Sequence, residues 1–178
     1  WAITKVVEHL RRAGARSATF VGFVESNLPI AERARAYRQA CERYDLECMP
    51  PLASERADLP AGRALVRRLL ASGPVPDAIM CGNDLVAAGA IGELREAGLS
   101  CPDDVLLTGY DDAAPIAEIL GLTTVRQPLS DLGREAARLL RQASEAPRTV
   151  MLTPAVIVRS TSAHDLNGSG GELLMGAR

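Results

Sequence analysis

Short apolar runs alternate along this chain with longer segments whose apolar positions recur at helical spacing. Val6, Val7, Leu10 and Ala13 repeat in that way and Gly14 closes the segment, which predicts a first helix. Ala18-Thr19-Phe20-Val21 reads as a strand. A second helix is expected from Pro29 to Tyr44, with proline well placed in its first turn. Leu46 to Met49 follows as a short strand, then an irregular Pro50-Pro51 loop. The rest alternates in the same way: helix Ala61–Ala71, strand Ile79–Cys81, helix Leu85–Ala97, strand Val105–Leu107. Strands separated by helices imply parallel pairing through right-handed crossovers, so four strand ends should share one edge of a sheet. Beyond Gly121 the rhythm changes to a short strand Thr123–Val125, a helix Asp131–Gln142 and a last strand Val150–Val158 that contains Pro154. The Gly- and Ser-rich tail from Asn167 reads as disordered.

Polar residues gather where these strands should end. Glu25, Ser26 and Asn27 follow the first strand, Asn83 and Asp84 the third, Asp111 and Asp112 the fourth. Amides and carboxylates converging on the carboxyl edge of an open α/β sheet suit a ligand with several hydroxyl groups. Asn83 or Asp84 could instead cap the helix that begins at Leu85; the capping role is assigned mainly to Asp84 and the ligand role to Asn83. Asp111, directly after an apolar run, is the better ligand candidate, and Asp112 is read as solvated or turn-forming. Arg33 lies in the early turns of its helix, where the macrodipole disfavours a cation. A ligand oxygen could hold it there, and so could an acid such as Glu32 or Glu25.

Composition narrows the class. The chain has 178 residues, 47% of them hydrophobic and 3% aromatic, so its core is built from Ala, Leu, Val and Ile. The formal net charge of −2 argues against this segment gripping a phosphate backbone, and acids interleave with the arginines along the helices. No apolar run is long enough to cross a membrane. The four cysteines show no C-x-x-C spacing, which fits reduced thiols in a cytoplasmic protein and speaks against a bound metal. The two histidines, His9 and His164, stand in no nucleophilic motif, and G-x-S-x-G, P-loop and G-x-G-x-x-G patterns are missing. The chain therefore reads as a binding module, not an enzyme, and no motif requires a cofactor.

The words Pro76-Asp77-Ala78-Ile79-Met80-Cys81-Gly82-Asn83-Asp84, Val105-Leu106-Leu107-Thr108-Gly109-Tyr110-Asp111-Asp112, Leu122-Thr123-Thr124-Val125-Arg126-Gln127-Pro128 and Leu132-Gly133 resemble the LacI/GalR family of bacterial transcriptional repressors. The resemblance runs from about Val6 to Ser162. It implies an α/β fold, a three-layer α/β/α parallel-sheet sensor subdomain like that of periplasmic binding proteins. Residues 1–122 would form the second subdomain of the effector-binding core. Residues 123–147 would cross to a first subdomain, residues 148–162 would return as a last strand, and residues 163–178 would be a disordered tail. A DNA-reading helix-turn-helix and most of the first subdomain are expected upstream of Trp1.

By the same resemblance, Arg33, Asn83 and Asp111 match positions that contact effector, and Asn27 is added from the first strand's loop. Ala88, Gly89, Gly92, Ile119 and Leu120 would lie in a two-fold dimer interface. The interior glycines of the Val86–Gly92 helix each cost up to about 1 kcal/mol relative to alanine, so something should approach that backbone closely; its own sheet is one option, a partner helix the favoured one. The implied partners are a small effector resembling a sugar or nucleoside, a second copy of the chain, and DNA through the upstream domain. Many relatives place an aromatic ring shortly before Gly62 to stack on the effector. This chain has Ser54-Glu55-Arg56-Ala57-Asp58-Leu59-Pro60 there, which puts a sugar in question. A periplasmic solute-binding protein of the same architecture is the alternative.

One consequence is physical. Leu132, Ala136, Leu139 and Leu140 form an apolar stripe on the Asp131 helix, and each leucine is worth about 1.5–3 kcal/mol when buried. Without a cover, that helix should self-associate or lose order.

Overall fold

The computed structural model describes residues 1–23, 26–142, 148–163 and 172–174. Strands β1 (Ser17–Phe23), β2 (Glu47–Cys48), β3 (Leu52–Ala53), β4 (Ala78–Cys81) and β5 (Leu106–Thr108) build one parallel sheet. Its order is β2-β1-β4-β5, with β3 also on β1. Each of β4's four residues is buried, and the pleat sends Ala78 and Met80 to one face and Ile79 and Cys81 to the other. On the first face lie helices α1 (Ala2–Arg12) and α2 (Leu28–Arg43), whose Val6, Leu10 and Tyr37 pack around Phe20. Against the second lie α3 (Leu59–Ser72) and α4 (Asp84–Glu96), with Val66, Val86 and Leu94 around Ile79. The three-layer α/β/α arrangement expected from the sequence is present.

A smaller antiparallel sheet continues from β5. The short helix α5 (Ile116–Ile119) leads to β6 (Thr124–Arg126), helix α6 (Leu129–Arg141) follows, and β7 (Ala155–Val158) returns to pair with β6. Bridges Thr108↔Thr123 and Asp111↔Arg126 join β6 to the end of β5. Thr123, Thr124 and Val125, which the resemblance places at the start of an excursion to a first subdomain, are fully buried.

Other elements also differ from expectation. The second strand shrinks to Glu47–Cys48, and the proline loop after it yields β3. The last strand starts at Ala155 instead of Val150, because Pro154 has no N–H to give a ladder. Within the tail, Glu172–Leu174 forms β8 against β7 where disorder was expected; the other tail residues from 164 on lie outside the described residues.

Helix α6 forms but buries none of its residues; Leu129, Leu132 and Leu140 are exposed. It is not packed on the chain's own sheet. The 178-residue chain is expected to associate with increasing concentration through this face, and Leu132→Glu with Leu140→Glu should return it to a single monomeric boundary in sedimentation velocity. Association unchanged in the double variant would place the contact elsewhere.

Candidate functional site

The carboxyl ends of β1, β4 and β5 deliver their following residues to one edge, and helix α2 crosses above it with Arg33 in its second turn. The Arg33 guanidinium is held from below: Nη1 donates to the Gly82 carbonyl at 2.7 Å, and the group stacks 3.6 Å from the centre of the Tyr110 ring. Nη2 lies 3.8 Å from Asp111 Oδ1. These partners resolve why a cation sits where the helix dipole opposes it. Burial pushes the Tyr110 phenol upward, and the nearby Arg33 pulls against that shift.

Asp111 and Asp112 form a turn in which both φ angles are positive, 115° and 53°. Such a conformation is uncommon for non-glycine residues and persists only where neighbours enforce it. Here they do. Asp111 N–H donates to the Val125 carbonyl at 2.9 Å, and Gln127 Nε2 donates to Asp111 Oδ1 at 2.7 Å. Asp112 Oδ2 accepts from Arg126 Nε at 2.5 Å, while Arg159 Nη2 makes an ion-pair contact with Oδ1 at 2.8 Å whose angle is too poor for a hydrogen bond. The Asp112 side chain is thus nearly buried. It forms the turn, as expected, but is ion-paired instead of solvated.

Asp84 supports this turn from beneath. It is 1% exposed; its Oδ2 accepts from Ala113 N–H at 2.6 Å and its Oδ1 from the Thr124 hydroxyl at 2.7 Å, while its own N–H donates to the Tyr110 carbonyl at 2.9 Å. Burial raises its carboxyl above the usual range, the Thr124 and Ala113 donors oppose that, and Asp111 and Asp112 add to it. The capping role expected mainly of Asp84 therefore falls to Asn83, and Asp84 is a buried support of the turn. Asn83 caps α4, accepting from Val86 N–H at 2.8 Å, and its Nδ2 donates to the Ala57 carbonyl at 2.9 Å. Asn27 likewise caps α2 through Ile30 N–H at 3.2 Å. Its neighbour Glu25 lies outside the described residues.

A cavity of about 630 Å³ opens beside Arg33, lined also by Glu32, Tyr110, Gln127, Met151 and Thr153. That size falls within the range of small-ligand sites, roughly 300–1,000 Å³. Of the four expected effector residues only Arg33 lines its wall. Asp111 stands behind, joined to the wall through Gln127 and Arg33; Asn83 and Asn27 are not on it. Tyr110 and Gln127 escaped the sequence reading. The signal for them was their place in the words that end in Asp112 and Pro128, because a side chain within two residues of a strand's end reaches the same edge.

The proposed interface residues separate as well. A Cβ on Gly89 would lie 2.1 Å from the Leu59 carbonyl, so the close approach that the glycine permits is to α3 of the same chain. This corrects the partner-helix reading for Gly89. Gly92 has only the Arg63 guanidinium within 4 Å of such an atom, Ile119 is 78% exposed, and Ala88 and Leu120 are half-buried. Among the described residues no helix is long and apolar enough to cross a membrane, and no His, Cys, Asp and Glu cluster suited to a metal ion occurs.

A family model described as a periplasmic binding protein-like domain matches residues 7–162. The ribose operon repressor of Haemophilus influenzae is 29% identical over 151 residues, covering 79% of this chain and 45% of that protein. The HTH-type transcriptional repressor PurR of Haemophilus influenzae is 29% identical over 163 residues, covering 86% of this chain and 48% of the repressor. Among solved structures, a LacI-family transcriptional regulatory protein from Corynebacterium glutamicum superposes with a TM-score of 0.76 at 30% identity, covering 90% of this chain and 64% of that one. The chain spans about half the length of the two repressors.

Proposed function

Because this chain belongs to the periplasmic binding protein-like family, as a region of the LacI/GalR regulator type, we propose that it is the ligand-sensing core of a DNA-binding transcriptional regulator. A small polar effector of sugar or nucleoside type would lie in the cavity against Arg33 and Gln127, with Asp111 behind them. Homodimers would form through Ala88, Gly92, Ile119 and Leu120, and DNA would be bound by an upstream domain. The repressor names among the relatives support this over a transporter's solute-binding protein.

The observation that carries the reading is the preset Arg33. Its guanidinium is fixed by Gly82 and Tyr110 before any ligand arrives and borders an open cavity at the sheet's carboxyl edge. Preset donors cost little to order on binding. The turn after β5 also links the site to the excursion, since Asp111 and Asp112 are hydrogen-bonded to β6 and its flanks, and α6 follows directly. Ligand drawn to Arg33 and Asp111 would therefore act on the strand that leads out of this subdomain. The shift works by differential affinity for two arrangements.

The test is calorimetric titration of the protein with its native upstream region, using ribose, other pentoses and hexoses, nucleosides and purine bases. One of these should bind with micromolar affinity and change affinity for the operator upstream of its own gene. Binding with no effect on DNA would favour a solute carrier, and binding by none of them would remove the proposed effector class.

A further inference from the structure

Away from the cavity, at the edge of the sheet, two cysteines meet. Cys41 lies in the last turns of α2, one turn beyond Tyr37 and on the same face, and both are fully buried. Tyr37 donates its hydroxyl to the Ala18 carbonyl at 2.5 Å. Ala18 is paired in register with Cys48 on β2, and the next residue, Met49, donates its N–H to the same Ala18 carbonyl at 2.9 Å. The connection between the cysteines is folded back tightly, with Leu46 N–H on the Cys41 carbonyl at 3.0 Å. Helix, turn and edge strand therefore bring both cysteines to the tip of Tyr37, and the Cys48 thiol contacts the Met49 carbonyl beside it at 3.9 Å. Cys48 is exposed while Cys41 is not.

We propose that Cys41 and Cys48 form a reversible intramolecular disulfide under hydroperoxide, clipping the end of α2 to the edge of the sheet. The exposed Cys48, as thiolate, attacks one peroxide oxygen; the O–O bond breaks and an S–O bond forms. The leaving oxygen takes a proton and departs as water, leaving Cys48 as the sulfenic acid. Cys41 sulfur then attacks Cys48 Sγ and gives up its proton; the S–S bond forms, the S–O bond breaks, and a second water leaves. Two thiols are oxidised and one peroxide is reduced to two waters. The order follows from access. Burial, with Cys48 next in effect, holds the Cys41 thiol up at about 12, so it serves as the resolving group and not as the first nucleophile. Cys81 and Cys101, on the opposite face of the sheet, take no part.

The clip would act on the same helix that carries Arg33, two turns earlier. Closing the loop between residues 41 and 48 should raise the melting temperature, because it removes freedom from the unfolded chain. The experiment treats the chain with equimolar hydrogen peroxide, alkylates remaining thiols and maps peptides by mass. The expected product is one Cys41–Cys48 crosslink in the folded monomer, with a melting temperature several degrees higher that reverts on adding dithiothreitol. Cys41→Ser and Cys48→Ser should each lose the crosslink, and Cys81→Ser should keep it. Because the wild-type chain carries the readout, a poorly folding variant does not blunt the test. Cys48 ending as sulfinic acid, crosslinks between molecules, or a Cys41–Cys48 bond that forms only in urea would each overturn the proposal.

Discussion

Gly62→Ala and Gly89→Ala are each expected to lower stability by about 3 kcal/mol, the upper end of what overpacking a core costs. The reason is reciprocal backbone contact between α3 and α4. A Cβ on Gly62 would stand 2.2 Å from the Val86 carbonyl oxygen, and one on Gly89 would stand 2.1 Å from the Leu59 carbonyl oxygen. Neither neighbour is a flexible side-chain tip that could swing aside. The helices would have to separate, opening space around Val66, Val86 and Ala90, which pack tightly between them and the sheet. For a domain of this size such a loss lowers the melting temperature by roughly 6–12 °C. The two substitutions strain one contact, so the double variant should lose clearly less than the sum. Gly133→Ala is the control: it lies in α6 with nothing within 4 Å of the added carbon. Helix propensity alone then predicts a gain of up to about 1 kcal/mol. Thermal unfolding followed by circular dichroism checks all four chains, and a Gly89→Ala chain as stable as wild type would show that α3 and α4 are not held this close.

These glycines also mark how far the sequence could be read. Of the two glycines inside α4, Gly89 signalled a close approach and Gly92 did not, and periodicity says nothing about which surface comes close. The partner, α3, was legible only as a helix, and its Gly62 gave no sign of meeting Val86. The alternation of strands and helices and the carboxyl-edge cluster were legible because they depend on local spacing. Between Asn83 and Asp84 the sequence reading favoured the wrong cap, Asp84, since either side chain can cap a helix. Thr124, 40 residues away, and Ala113 take Asp84, which leaves Asn83 to the cap. Strand β3 was hidden because two residues after a pair of prolines carry no periodic signal, and its register is set by Val21 and Phe23 on another strand. The exposed stripe of α6 was visible in advance, since an amphipathic helix shows its apolar face whether or not anything covers it.

Arg33→Leu is expected to weaken effector binding by about 10- to 150-fold, the loss of a hydrogen bond made by a charged group, about 1.5–3 kcal/mol. The side chain is 16% exposed, and its planar group is already committed on one face to Tyr110 and at one nitrogen to Gly82. What remains is a directed donor at the cavity wall beside Asp111. Lysine cannot reproduce this. Its ammonium is a point charge without the plane that stacks on Tyr110 or the fork that reaches Gly82 and the cavity together, so Arg33→Lys should recover less than a tenth of the lost affinity. Removal of the guanidinium also leaves Asp111 without its nearest described cation while Gln127 still holds its Oδ1, so the strained turn should persist and the fold with it. Calorimetry and operator-binding anisotropy on the protein with its upstream region separate the two effects. Effector affinity should fall while DNA affinity without effector changes less than about twofold, because that equilibrium depends on the two arrangements and not on the ligand. An Arg33→Leu protein that still binds effector within threefold of wild type would move the binding site away from the carboxyl edge.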